Sequence, residues 1–429
     1  MSMKERLQTA GYNAGIYTLY LGANAQALFK PKMKQFVQGR KNQWEKIEKQ
    51  LKPNEKRIWI HCASLGEFEQ GRSLIDELKQ RYPNHKLVLT FFSPSGYEIR
   101  KNYKNADYVF YLPIDTPTNA KRFVTLVKPI VCLFVKYEFW YNYFYTLHKY
   151  KIPIIVVSAI FKSKYVFFQW YGQLFRRLLT YTERIFVQDE LSKKLLKKIK
   201  VENVTVAPDT RFDRVISNAK NYNNINLIHS FKGKATLVVV GSSWAKDEAL
   251  IAKLIQNNEK TKPDEFRYVI APHEINEAHL KNIEHNLQKL NCIRYTDAAL
   301  MQANRVNEKY KVLILNTMGM LSTVYAYANY TYIGGGFGAG IHNVLEAAVF
   351  GMPIFFGPNY KQFKEAVDLV KLKGAFCVKN ENDLLKYIAL LEKDKKMYQN
   401  ISQTCTNYVH QNEGGTQIIM DYLTQVLKR

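Results

Sequence analysis

The chain has 429 residues, of which 47% are apolar and 23% charged; that fits two domains and excludes a disordered or collagenous polymer. Its five cysteines, Cys62, Cys132, Cys292, Cys377 and Cys405, are scattered without a C-x-x-C pair, which argues against a zinc ribbon, a thioredoxin-type motif or a secreted disulfide framework and points to a reducing compartment. Lys and Arg total 62 against 37 Asp and Glu, a formal charge of +25, which suits nucleic acid, an anionic membrane face or a phosphorylated substrate, and equally a plain lysine-rich surface.

From Leu7 to Phe29 no residue is charged, and basic residues flank the stretch (Lys4 and Arg6 before it; Lys30, Lys32, Lys34, Arg40 and Lys41 after it). Glycines, Asn and Gln dilute it too much for a spanning helix. Tyr12, Ile16, Leu19, Tyr20, Ala23 and Ala27 recur at helical spacing, which predicts a helix lying in a membrane interface over residues 1–40, or else an amphipathic helix docked on the protein's own core.

From Arg57 onward, short apolar runs alternate with segments of helical length. The runs are Ile58–Cys62, Leu87–Phe92, Tyr108–Tyr111, Ile130–Val135, Ile154–Val157, Ile185–Val187 and Val204–Ala207. After an Asn-rich break between Ser217 and Asn226 a second series follows: Thr236–Val240, Tyr268–Ala271, Val312–Leu315, Tyr330–Ile333 and Pro353–Phe356. Alternation of this kind predicts an α/β protein of two doubly wound, Rossmann-like domains, 41–215 and 216–429, with a purely helical end from Glu381. Ligands in such sheets bind beyond the strand carboxyl ends, so the residues directly after each run carry the interest.

His61-Cys62-Ala63-Ser64-Leu65-Gly66-Glu67 closes the first run. Glu67 then sits in a helix first turn, either as a general base or as ordinary capping chemistry. Ser93-Pro94-Ser95-Gly96 closes the second, an anion- or sugar-binding turn or a plain N-cap. Lys136-Tyr137-Glu138-Phe139-Trp140 closes the fourth, an acceptor-binding acid or a core Trp with a capping Glu. In the second half, Ser242 and Ser243 precede Trp244, His273 follows Pro272, Met318-Gly319 follow Asn316-Thr317, and Gly357-Pro358-Asn359 close a later run. The fullest pattern is Gly334-Gly335-Gly336-Phe337-Gly338-Ala339-Gly340-Ile341-His342-Asn343-Val344-Leu345-Glu346. Its five glycines predict a loop that brings backbone close to a nucleotide phosphate, with Glu346 one turn into the following helix. It is neither a Walker loop nor a first-unit dinucleotide fingerprint.

Together, Ser64-Leu65-Gly66-Glu67, Ser93-Pro94-Ser95-Gly96, Glu138-Phe139-Trp140, the glycine loop through Asn343 and Glu346, and Gly357-Pro358-Asn359 resemble the 3-deoxy-D-manno-octulosonic acid (Kdo) transferases of lipopolysaccharide biosynthesis. The resemblance runs from the amino terminus to about Asn359. It implies the GT-B fold, with the two domains facing across a cleft, and inverting transfer of Kdo from CMP-Kdo to a lipid A precursor at the cytoplasmic face of the bacterial inner membrane. Glu67 would be the base. Ser242, Ser243, His273, Met318, Gly319, Gly335, Gly336, Asn343 and Glu346 would bind the donor, and Ser64, Gly66, Ser95, Gly96 and Glu138 the acceptor. No cofactor and no metal is implied, and the chain has no D-x-D pair. The expected partners are donor, acceptor and an anionic membrane surface, with no nucleic acid. The chain departs from the family at Tyr137, Tyr141 and Met320, near Ile160, and beside Pro272-His273 where an Arg is usual. The rival readings are a GT-B enzyme using a UDP-sugar, a basic nucleic-acid-binding protein, and a non-catalytic membrane-surface scaffold.

Overall fold

The computed structural model describes residues 3–287, 290–301, 306 and 308–429. They form two compact units, Met1–Asp213 with Glu413–Arg429, and Arg214–Asn412.

The first unit is built on strands β1 (Arg57–Cys62), β2 (Lys86–Phe91), β3 (Tyr108–Tyr111), β4 (Pro129–Val135), β5 (Ile154–Ala159), β6 (Arg184–Val187) and β7 (Val204–Val206), in the order β3-β2-β1-β4-β5-β6-β7. Every pairing is parallel. A parallel sheet needs both faces covered, and the side chains of β1 divide accordingly. Trp59 joins an aromatic-rich layer with Phe123, Phe134 and Tyr143, while Ile58, Ile60 and Cys62 join the opposite layer with Phe68, Leu74 and Leu133.

The second unit repeats the plan with β8 (Thr236–Ser243), β9 (Phe266–Pro272), β10 (Cys292–Arg294), β11 (Val312–Ile314), β12 (Tyr330–Ile333), β13 (Ile354–Phe356) and β14 (Ala375–Cys377), ordered β10-β11-β9-β8-β12-β13-β14. The α/β class, the helical carboxyl end and the twelve predicted runs are present. The two edge strands β10 and β14 are additional.

The domain boundaries need correction in two places. Helix Gly415–Leu427, expected in the second domain, belongs to the first: Ile419, Met420, Leu423 and Val426 fill the layer beneath β1 and β4. The amides of Gly414 and Thr416 donate to the two oxygens of Asp213, each at 2.6 Å. A carboxylate at a helix amino end is favoured by the helix dipole and satisfies orphan amides. The Asn-rich stretch is also not where the units part, because helix Thr210–Lys220 runs across the division at Asp213–Arg214.

Residues 1–40 are part of the first unit. The leading helix, Met3–Gln26, docks on it with the stripe that the sequence offers to a membrane. Ile16 and Ala23 are buried with Phe36 and Ile114, and Tyr12, Tyr20 and Trp140 pack against them. The Tyr12 hydroxyl donates to Asp115 at 2.7 Å, and the Asn142 side chain donates to Asn13 at 2.9 Å. Of that stripe Leu19 alone is exposed. A different face, with Met3, Leu7, Ala10, Ala14, Tyr17 and Leu21, is open. Among the described residues no helix is long and apolar enough to cross a membrane.

Candidate active site

In each sheet the strand order reverses direction beside the first strand, between β1 and β4 and between β8 and β12. Such a switch point leaves a crevice at the strand carboxyl ends. The segments that follow these strands are those singled out in the sequence.

In the first unit, β1 ends at Cys62 and helix Leu65–Arg81 begins behind Ser64, so Glu67 lies in that helix's first turn. Its carboxylate accepts a hydrogen bond from the Ser64 hydroxyl and stands 3.6 Å from the Lys136 ammonium. Burial by itself would raise the pKa of Glu67; the Ser64 hydroxyl and Lys136 outweigh it and hold the group below the usual carboxylate range. Glu67 is therefore ionised at neutral pH, as a base must be before it takes a proton.

The sequence places Lys136 in the turn after β4 and assigns it no role. It follows β4 in a left-handed conformation, φ 66°, which turns the chain so that the residues after it return toward β1. A lysine after a strand looks like any surface lysine in a sequence, and only the fold shows what it faces.

Three strand ends come together here. The amides of Phe92 and Ser93 donate to the Ala63 carbonyl at 3.1 and 2.7 Å, tying the β2 turn to the β1 turn. Ser93 caps helix Pro94–Arg100 through the Ser95 amide. A Cβ on Gly96 would meet the Phe91 ring at 2.3 Å and the Ser64 backbone at 3.0 Å, so this glycine is demanded by packing between the turns. Gly66 is different: a Cβ there meets nothing closer than Ser64 Oγ at 3.7 Å, and it already lies in the helix. Glu138 is partly exposed; its Oε2 accepts the Trp140 indole N–H at 2.8 Å and lies 3.6 Å from His61 Nε2. The structure thus gathers Ser64, Glu67, Gly96, Lys136 and Glu138 around one strand-end cluster, with Ser95 on the adjoining turn.

In the second unit, the glycine loop follows β12. Its glycines answer mainly to the protein's own backbone. A Cβ on Gly334 would strike the Ser242 carbonyl oxygen at 2.3 Å, and one on Gly336 the Gly357 nitrogen at 2.5 Å. Gly335 adopts φ 90° and donates its amide to Asp247 at 2.8 Å. Gly338 and Gly340 return their amides to the Gly335 carbonyl. This corrects the expectation that Gly335 and Gly336 offer open backbone to a phosphate: both are buried. The helix beyond them, Leu345–Ala348, has only four residues, which leaves little dipole for an anion.

What the loop leaves accessible are side chains. Asn343 donates to Glu346 at 3.1 Å and accepts the Leu345 amide at 3.1 Å. Burial lowers the pKa of the Arg214 guanidinium, which Glu346 opposes. His273 and His342 stack at 4.3 Å, and Trp244 covers His273 at 4.7 Å while its indole N–H donates to His342 Nε2 at 3.1 Å. Burial, then the neighbouring His273, pushes His342 down to about 4, and burial lowers His273 as well. Ser242 takes φ 53° at the β8 end. Ser243 departs from its expected donor-binding role: it is fully buried and spends its hydroxyl on Glu248 at 2.8 Å. Met318 is exposed, and Gly319, at φ 86°, has open space around it. Trp244 and His342 lie 98 positions apart, so their pairing has no local signature.

A family model described as 3-deoxy-D-manno-octulosonic-acid transferase matches residues 38–214, most of the unit that carries Glu67. A transferase of that name from Haemophilus influenzae is 24% identical over 382 residues, covering 87% of each chain. Another from Aquifex aeolicus is 26% identical over 345 residues, covering 79% of this chain and 87% of its own. Among solved structures, a UDP-GlcNAc 2-epimerase from Neisseria meningitidis bound to UDP-GlcNAc aligns with TM-score 0.58 at 15% identity, covering 86% of this chain and all of its own. MurG from Acinetobacter baumannii aligns with TM-score 0.53 at 11% identity, covering 86% and 99%. These two likenesses speak for the fold alone, the two-unit GT-B-like arrangement. The family model lies on the first unit and the transferases match across most of both chains, so this chain is similar to the Kdo transferases over most of its length.

Proposed function

We propose that the chain transfers Kdo from CMP-Kdo to a lipid A precursor in lipopolysaccharide core biosynthesis, with inversion at the anomeric carbon. The observation that carries the mechanism is Glu67, ionised and held by Ser64 and Lys136 at the strand-end crevice of the first unit. Glu67 takes the proton of an acceptor sugar hydroxyl. The freed oxygen bonds to the anomeric carbon of Kdo as the bond from that carbon to the CMP phosphate oxygen breaks, and CMP leaves as the anion. Lys136 keeps Glu67 charged until the proton arrives. The second unit holds the donor through side chains more than through loop amides. Asn343 and Glu346 suit the ribose hydroxyls, and Ser242 and His273 suit the phosphate. The reading uses no metal and no cofactor, so transfer should survive EDTA.

The acceptor is a lipid, which supports a place at the cytoplasmic face of the inner membrane. The open face of the leading helix (Leu7, Ala10, Ala14, Tyr17, Leu21) and the lysines at its ends match an anionic lipid surface. Liposome flotation should require anionic lipid, and Leu7→Asp with Leu21→Asp should abolish it.

Purified protein incubated with CMP-Kdo and a tetra-acylated lipid A precursor should add Kdo mass to the lipid. Glu67→Gln should lower the rate by about 10²–10⁴-fold, the usual worth of a general base, while a CMP-induced rise in Tm persists. Full turnover by Glu67→Gln, or stabilisation by UDP and not CMP, would overturn the reading.

A further inference from the structure

His61 is wholly buried at the end of β1, and its Nε2 has no hydrogen-bond partner among the described residues. A buried ring nitrogen left so is costly and calls for an explanation. The other nitrogen, Nδ1, lies 2.9 Å from Thr90 Oγ1. That hydroxyl already accepts the Trp59 indole N–H at 2.8 Å, and its own hydrogen has a choice between Nδ1 and the Ile60 carbonyl at 3.5 Å. The shorter contact takes it, so the ring hydrogen sits on Nε2. It is 3.6 Å from Glu138 Oε2, beyond hydrogen-bond length.

The same oxygen accepts the Trp140 indole N–H at 2.8 Å. The Trp140 ring lies 4.6 Å from that of Phe92 and packs on the cluster containing Ile16 and Ala23 of the leading helix. Two N–H groups therefore address one edge of Glu138, one already bonded and one a few tenths of an ångström short, and the bonded one is seated against the amino-terminal helix.

We propose that Trp140 and His61 are positioning residues for Glu138: together they hold its Oε2 edge, present Oε1 to the acceptor sugar hydroxyls, and depend for their setting on the packing of the leading helix. The proposal rests on the transferase reading and names which part of the acceptor site is pre-set. When an acceptor draws Glu138 inward, the His61 contact closes. Substrate binding then satisfies a donor that the free protein leaves unpaired.

The test is steady-state transfer with the full chain. Trp140→Phe keeps the ring and removes the N–H. It should raise the acceptor KM about tenfold, the worth of a hydrogen bond to a charged group, with the donor KM and kcat within about twofold. In a Glu138→Ala background, which removes the acceptor, the same change should add nothing, since it acts through the carboxylate. Ile16→Ala, which leaves the indole in place and loosens its seat, should raise the acceptor KM by a smaller factor and carries the test if Trp140→Phe does not fold. An unmoved acceptor KM in folded Trp140→Phe or in Ile16→Ala, or an equal loss in both backgrounds, would overturn the proposal. No transfer by the wild-type chain would overturn the transferase reading itself.

Discussion

The two units share a scaffold and use it in opposite ways. Each has seven parallel strands with the first strand near the middle and a crevice where the order reverses. In the first unit that crevice is furnished with charged side chains, Glu67, Lys136 and Glu138, whose turns are tied by backbone hydrogen bonds. In the second, the rings of Trp244, His273 and His342 stand beside Asn343 and Glu346, on turns that touch backbone to backbone at Gly334, Gly336 and Gly357. A site built from charges tolerates change in its backbone better than in its side chains. A site built from close-packed turns does the reverse.

Paired glycine substitutions give the largest contrast. Gly336→Ala forces a methyl group to within 2.5 Å of the Gly357 nitrogen, and no rotamer relieves a backbone clash. The expected cost is about 3 kcal/mol or more, visible as a lower Tm and loss of the CMP-induced shift. Gly66→Ala meets only Ser64 Oγ at 3.7 Å, and in a helix the change should be neutral or stabilising by up to about 1 kcal/mol. If Gly66→Ala nonetheless slows transfer, a substrate comes close to that Cα. Equal destabilisation by the two changes would break the comparison.

The next effect concerns what holds the leading helix in the first unit. Asp115 is fully buried, and its two oxygens accept from the Tyr12 hydroxyl at 2.7 Å, the Asn142 amide at 3.1 Å and the Tyr143 amide at 3.0 Å. In Asp115→Asn an NH2 group must face at least one of these donors. We expect a loss of about 2 kcal/mol, with faster amide exchange over 3–26 than elsewhere. Uniform exchange would mean that the helix does not depend on this residue.

Much of this was legible in the sequence because strand-end chemistry is local. The Ser64–Glu67 and Ser93–Gly96 turns announce themselves by a run of apolar residues followed by small hydroxyls and glycine. What could not be read is what each turn meets. Five glycines signal close approach but not by what; here the approaching groups are the Ser242 and Gly357 backbones as much as any ligand. The Tyr12–Ile16–Ala23 stripe shows that one helix face is apolar and says nothing of whether lipid or the protein's own Phe36 and Trp140 will cover it. Likewise the periodicity of Gly415–Leu427 predicts a helix, while its return to the first unit depends on Asp213, two hundred residues earlier.

Smaller in effect is the acid limb of the transfer rate. Glu67 keeps its charge below the usual carboxylate range because Ser64 and Lys136 stabilise the anion against burial. Lys136→Ala removes one of these supports, so the acid limb of kcat/KM should move to higher pH, with little change at the plateau. A limb that stays in place would mean that another group governs it.

The smallest effect sets the two units against each other in pH. Burial raises Asp115 to about 6, above its ordinary value near 4. Between these values the folded chain binds the extra proton, so the stability this residue contributes is complete at low pH and is lost as pH rises through about 6. Burial and His273 lower His342 to about 4, below its ordinary value near 6.5. There the unfolded chain binds the extra proton, so this contribution is complete above about 6.5 and is lost as pH falls toward about 4. Between pH 4 and 6 these two contributions slope in opposite directions. His342→Phe keeps a ring against His273 and removes the titration, so chemical denaturation should show a smaller gain, or a larger loss, of stability from pH 4 to 6 than in the native protein. A profile unchanged by His342→Phe would mean that the imidazole titrates normally, and that the Trp244 indole N–H does not hold Nε2 free of a proton.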